Sequence, residues 1–292
     1  MNYLEKLKAS SQKYKSIICM GLDPVMDYFP QEIKDSPEIC ISNFYERIFE
    51  KMIERNIYPS AFKPNQGFFL QYDKPMQLEF SGSKALVELI VLCKEYFPEI
   101  PIILDYKKGD IAKSSKNYAV EGFENWDCDA VTISPFMGSD SVIPFLEYSN
   151  EGKGIYILNR TSNKGAKDFQ NQKLENGEFL YQNVSKKIIK WSKKHSGTGA
   201  VIGATSLTEL KNIAKTYTKH NIPLLIPGVG AQGGNAKEVV KVLKKVDYDL
   251  EIVRINSSSG ISFPWKKENS IPKNWADACV DELEKLNEES NH

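Results

Sequence analysis

A chain of 292 residues with 38 basic and 38 acidic side chains has no global field with which to gather nucleic acid or an anionic membrane surface. Met1 to Ser16 is polar and Lys-rich, and no later stretch approaches the ~18 continuous apolar residues of a membrane span, so a soluble, cytoplasmic protein is expected. Five scattered cysteines without a C-x-x-C pair, and three histidines set apart from one another, give no framework for a metal or redox site.

After a short N-terminal helical extension, apolar β-branched runs predict strands at 17–23, 58–64, 101–107, 129–134, 154–160, 199–205, 223–228 and 251–256. Between them lie stretches of helical spacing: Ile41 to Arg55, Gly82 to Tyr96, Ser139 to Tyr148, Phe179 to Lys194 and Asn235 to Lys245. A last helix is expected over Asn274 to Asn287, where Trp275, Cys279, Leu283 and Leu286 recur near helical spacing. The polar, Asn/Gln-rich segment Lys164 to Phe179 reads as an exposed loop. Strict alternation of strand and helix argues for a parallel sheet, and no linker divides the chain, so 1–292 reads as one domain. The length is close to the ~250 residues typical of a (β/α)8 barrel.

An open doubly wound sheet would alternate in the same way, and the polar groups decide between the two. Six runs end in residues suited to chemistry or to close ligand approach: Asp23, Lys63, Asp105 with Lys107, Arg160 with Thr161 and Ser162, Gly228 with Gly230, and Asn256 with Ser257. In a barrel these ends converge on one mouth, whereas an open sheet would spread them along an edge. A TIM barrel is therefore expected.

The run Asp105-Tyr106-Lys107-Lys108-Gly109-Asp110 follows three apolar residues. Strand alternation sends Asp105 and Lys107 to the same side. An exposed ion pair there would be worth only ~0–1 kcal/mol. The strand is so apolar, however, that its charges must line the mouth or stand unpaired among helices, where isolated charge is costly. Lys63 and Asp23, at neighbouring strand ends, add a second base and acid. Such an array keeps each lysine protonated and directs a carboxylate at the ligand, which suits expulsion of an anionic group with Lys107 donating a proton to the carbanion left behind. Asp110, just after a glycine, can fold back toward the pair or reach a neighbouring subunit.

Gly21-Leu22-Asp23-Pro24, Phe62-Lys63-Pro64-Asn65, Asp105-Tyr106-Lys107-Lys108-Gly109-Asp110-Ile111, Arg160-Thr161-Ser162-Asn163 and Pro227-Gly228-Val229-Gly230-Ala231-Gln232-Gly233-Gly234, in this order, resemble the orotidine 5'-phosphate decarboxylase family in its longer bacterial subgroup. The resemblance implies decarboxylation of orotidine 5'-monophosphate to UMP in pyrimidine biosynthesis, without metal or organic cofactor, by a homodimer with shared sites. It assigns Lys63, Asp105, Lys107 and Asp110 to the catalytic array, with Lys107 as proton donor. It places Asp23 and Lys63 at the ribose, Asp110 and Ser114 at the ribose of the partner's ligand, Ser162 at the pyrimidine edge, and Gln232 with the Gly228 and Gly230 backbone at the 5'-phosphate.

The chain departs from the family in its eighth loop, Ile255-Asn256-Ser257-Ser258-Ser259-Gly260-Ile261, where Ser259 stands in place of the expected phosphate-gripping arginine. Three accounts are open: phosphate held by backbone N–H groups and hydroxyls of Ser258, Ser259 and Gly260, a cation supplied from elsewhere, or a weakened function. The donor-rich, small-residue loop favours the first. Arg254 is not assumed to take the arginine's place. Competing readings are a Schiff-base aldolase, a metal-dependent sugar-phosphate decarboxylase of the same superfamily, and a degenerate nucleotide-binding barrel.

Overall fold

A strand covered on both faces must be apolar at nearly every position, and the short runs recognised in the sequence meet that demand. The computed structural model describes residues 1–33, 35–230, 233–268 and 270–290. Its parallel strands are Ile18–Leu22 (β1), Ala61–Pro64 (β2), Ile103–Lys108 (β3), Ala130–Ile133 (β4), Gly154–Arg160 (β5), Thr198–Ile202 (β6), Leu224–Ile226 (β7) and Val253–Ser257 (β8). Every residue of β1, β2 and β4 is buried. Hydrogen-bonded neighbours run β2-β1-β8-β7-β6-β5-β4-β3. The ends of this row meet through parallel bridges between Phe62 and Ile102 and between Asn65 and Asp105, with the Phe62 N–H donating to Pro101 O at 3.0 Å. The sheet closes on itself, which excludes the open doubly wound alternative and brings all eight C-terminal strand ends to one mouth.

The helices are Tyr3–Tyr14 (α1), Pro37–Arg55 (α2), Gln66–Leu70 (α3), Ser81–Tyr96 (α4), Ala112–Val120 (α5), Ser139–Leu146 (α6), Ala166–Phe169 (α7), Leu180–Ser192 (α8), Leu207–Tyr217 (α9), Ala236–Lys244 (α10), Ser259–Ser262 (α11) and Trp275–Glu289 (α12). Their apolar stripes face the sheet. In α2 the buried set includes Ile41, Phe44, Tyr45, Ile48, Phe49 and Met52, and in α10 it includes Val239, Val240 and Leu243. The loop expected over 164–179 is more ordered than its composition implies. It contains α7, and it is tied back by the Gln170 side chain, which accepts the Thr161 N–H at 2.8 Å. All five cysteines are buried, and burial pushes the Cys19 and Cys128 thiols up to about 12, so both pack as neutral side chains. No helix among the described residues is long and apolar enough to cross a membrane.

Helix α1 covers the N-terminal ends of the strands. Asn2 and Glu5 cap it reciprocally, and Tyr3 then enters against Tyr156, with ring centroids 6.0 Å apart. That entry requires Gly154, since a Cβ there would lie 2.3 Å from the Tyr3 ring. Arg254 sits below, fully buried, and its guanidinium donates to Ser60 O (3.1 Å), Glu251 O (3.0 Å), Val253 O (2.7 Å) and Leu7 O (2.6 Å). Its direction, open from sequence alone, is therefore toward α1, away from the mouth. Arg254 is a staple for four carbonyls rather than a ligand-binding cation. Replacing Arg254 with Ala strands those acceptors, and the urea unfolding free energy should fall by about 3 kcal/mol or more; a loss below ~1 kcal/mol would contradict this role.

Candidate active site

Strand β3 changes course at its C-terminal end. Leu104 pairs with Val131 and Lys108 with Ile133, so a long stretch of β3 lies opposite a short stretch of β4. This bulge is accommodated at Lys107, whose φ of 45° is left-handed, a conformation costing a non-glycine residue roughly 1–2 kcal/mol. Alternation along a regular strand predicts a common direction for Asp105 and Lys107, but the strand here is not regular. The two side chains do meet, but it is the bulge that brings them together.

Asp105 is the centre of the cluster. Its Oδ2 accepts from Lys63 Nζ at 2.9 Å, and its Oδ1 accepts from Lys107 Nζ at 2.5 Å and from Thr132 Oγ1 at 2.8 Å. Strand order explains the meeting, because β2, β3 and β4 are consecutive around the closed barrel. Exposure separates the two lysines: the Lys63 side chain is 4% exposed and Asp105 8%, whereas Lys107 is 44% exposed. Lys63 is thus the more buried counter-charge, and Lys107 is the ammonium more open to an incoming molecule. Burial opposes the charge on Asp105, yet the two ammoniums outweigh it and hold the carboxyl well below the usual carboxylate range. Burial likewise opposes the charge on Lys63, and the Asp105 and Asp23 carboxylates outweigh it, holding the ammonium above the usual lysine range. Asp23 is half-buried and accepts the Asn65 N–H at 3.2 Å, which ties the β1 loop to the end of β2.

Lys108, next in the chain, takes the other side. It pairs with Glu121 and lies over the rings of Tyr106 and Tyr118 at 5.2 and 4.9 Å. Glu121 also accepts from Gln66 Nε2 at 2.8 Å, so this second cluster anchors the strand end from which Lys107 departs. Asp110 takes no part in the ion pairs among the described residues. Its Oδ1 accepts the Ile111 N–H at 2.7 Å and its carbonyl accepts from Ser115 Oγ at 2.7 Å, while Ser114 is half-buried in the first turn of α5.

The remaining described residues singled out from the sequence lie beyond the C-terminal ends of β5, β7 and β8. Ser162 crosses the end of β6, where Thr205 Oγ1 donates to its carbonyl at 2.9 Å and a Cβ on Gly203 would lie 2.5 Å from its Cα. Gly228 and Gly230 have φ of 100° and 84°, and the Gly230 N–H donates to Gly234 O at 3.0 Å in a tight turn. Gln232 lies outside the described residues. A Cβ on Gly230 would come within 3.5 Å of Ser257 Oγ, so the seventh and eighth loops adjoin. Ser258 precedes α11, its carbonyl accepting the Ser262 N–H at 2.9 Å, and Ser259 and Gly260 are half-buried. Thr132 was missed. Its only trace in the sequence is a lone hydroxyl within the buried run Ala130-Val131-Thr132-Ile133.

The model of the orotidine 5'-phosphate decarboxylase / HUMPS family matches residues 16–261. The chain is 37% identical over 266 residues to orotidine 5'-phosphate decarboxylase of Variovorax paradoxus, covering 90% of each. It is 38% identical over 246 residues to the protein of the same name from Dehalococcoides mccartyi, covering 82% of each. Among solved structures it is similar to Leishmania donovani OMP decarboxylase, with a TM-score of 0.73 and 27% identity over 98% of this chain and 99% of that one.

The shifts fix the direction of the pH dependence. A depressed carboxyl contributes stability that is present above the unfolded value of ~4 and lost as pH falls below it toward the folded value. A raised lysine contributes stability below ~10.4 that is lost as pH climbs through the folded value. Between these limits Asp105 and Lys63 both stay charged. Replacing Asp105 with Asn leaves a buried ammonium without its closest anion and should cost about 3–5 kcal/mol at pH 7. In urea titrations at several pH values the gap from wild type should narrow below pH ~4; a gap constant down to pH ~2 would contradict the depressed carboxyl.

Proposed function

The chain belongs to the orotidine 5'-phosphate decarboxylase / HUMPS family, and from that premise we propose that it decarboxylates orotidine 5'-monophosphate to UMP. The observation that carries this reading is the Lys63–Asp105–Lys107 chain, buried at two members and open to the mouth at the third. The substrate carboxylate lies against Asp105, where like charge raises its energy. The bond between C6 and the carboxylate carbon breaks, CO2 departs, and the electron pair remains on C6. The Lys107 ammonium stabilises that pair and transfers a proton to C6, and the resulting amine recovers a proton from solvent. Lys63 keeps Asp105 ionised throughout. A Schiff-base route is disfavoured, because Asp105 and Asp23 hold the buried Lys63 in its charged form and Lys107 Nζ is engaged by the Asp105 carboxylate.

Asp23 and Lys63 hold the ribose, Ser162 reads the pyrimidine edge, and the 5'-phosphate rests between the Gly228–Gly230 turn and Ser258 to Gly260. The contact between these two loops supports that placement, as does the frequent use of loops seven and eight for phosphate in barrels of this kind. With Arg254 committed to the opposite end, the donors that the described residues offer there are backbone N–H groups and serine hydroxyls, to which Gln232 adds its side-chain amide. The protein acts as a homodimer in which Asp110 and Ser114 complete the partner's site. Support comes from exposed apolar residues beside that segment. Ile111 is 56% exposed, and Phe136 (80%) and Met137 (49%) lie on the next loop, which touches the first where Gly109 meets Ser134.

Loss of the orotate chromophore in the presence of a chelator tests the reaction. Turnover should persist, and Lys107→Ala should lower kcat by on the order of 10²–10⁴-fold while the protein stays folded. Tight UMP binding without turnover would favour the degenerate barrel, and turnover only with added divalent metal would favour the sugar-phosphate branch. Ser259→Ala should raise KM roughly 10-fold, since a hydrogen bond to a charged group is worth ~1.5–3 kcal/mol; an unchanged KM would remove Ser259 from the phosphate site.

A further inference from the structure

The bulge that aims Lys107 at the mouth leaves a gap in the ladder between β3 and β4, and one side chain fills it. Thr132 is 1% exposed, the only polar residue of β4, flanked by Ala130, Val131 and Ile133 at 0%. Its hydroxyl accepts the Lys107 N–H at 3.1 Å and donates to Asp105 Oδ1 at 2.8 Å. Both capacities of the hydroxyl that matter here are used, and both partners belong to the charged cluster. The N–H it accepts is that of the residue with φ of 45°, where the regular ladder bond is lost. The oxygen to which it donates is the one shared with Lys107 Nζ.

We propose that Thr132 is a positioning residue for the reaction, holding the Lys107 backbone in its left-handed conformation and the Asp105 carboxylate in the rotamer that faces Lys107. The proposal rests on the assignment of Lys107 as proton donor. A hydrophobic side chain of equal shape fills the same volume but leaves the Lys107 N–H and one Asp105 oxygen without this partner. The backbone at Lys107 is then free to relax toward the ordinary strand region, carrying the ammonium away from its aim. Misplacement of a reacting group by about 1 Å costs on the order of 10²-fold in rate, so the loss should fall on kcat rather than on substrate binding.

The test compares Thr132→Val with Thr132→Ser. Thr132→Val should lower kcat for orotidine 5'-monophosphate by about 10–100-fold with KM changed less than ~3-fold, and Thr132→Ser, which keeps the hydroxyl, should recover kcat to within ~3-fold of wild type. Equal impairment of the two variants would reduce Thr132 to packing, and wild-type kcat in Thr132→Val would overturn the proposal outright. Lysine-selective 13C NMR of the ligand-free protein gives a second readout that needs no turnover. The Lys107 resonance, identified by its absence in Lys107→Arg, should move in Thr132→Val and keep its place in Thr132→Ser. An unmoved Lys107 resonance sinks the positioning role whatever the protein catalyses, whereas absence of wild-type turnover with the resonance displaced sinks only the proposed reaction. Should Thr132→Val fail to fold, Thr132→Ala is read by the same criteria.

Discussion

A carboxylate withdrawn from water has to find its counter-charges inside the protein, and Asp105 finds two, Lys63 on one oxygen and Lys107 on the other. Most of the upper half of the barrel follows from that requirement. Closure of the sheet makes β2 and β3 neighbours, which allows a lysine from one to meet an aspartate from the other. The bulge in β3 allows a second lysine, only two residues further on, to reach the same carboxylate while remaining open to solvent. An isolated carboxylate in this position would protonate; one held between ammoniums stays ionised and can oppose a second negative charge brought against it.

The two ends of the barrel divide the work. At the N-terminal end, Arg254 spends its guanidinium on backbone carbonyls and Tyr3 packs on Tyr156, both serving the docking of α1. At the C-terminal end, Lys107 opens a largely buried charged cluster to solvent, and strain is retained at its backbone. The same β8 strand contributes to both: Arg254 points to the closed end, and the serines that follow form part of the mouth.

Much of this was legible in the sequence. All eight strands were readable because residues buried on two faces leave short β-branched runs, and the charges at their ends stood out against them. The charged cluster was readable for the same reason, since Asp105 and Lys107 follow Ile102-Ile103-Leu104. What could not be read depends on geometry that periodicity does not encode. A left-handed residue is usually announced by glycine, and here it is a lysine, stabilised by a hydroxyl from another strand. Thr132 was therefore invisible as a partner of the bulge. Among the described residues Arg254 bonds backbone carbonyls and no carboxylate, and only the docked α1 reveals which way it points. The order in 164–179 was hidden by a polar composition whose bonds, such as Gln170 to Thr161 just after β5, tie the loop back to the strand end.

A crystal structure with UMP bound tests the central claim most directly. The account predicts C6 of the pyrimidine within about 3–3.5 Å of Lys107 Nζ, over the open side of Asp105, with the phosphate against Ser258 to Gly260. A base seated with C6 turned away from Lys107 would contradict it.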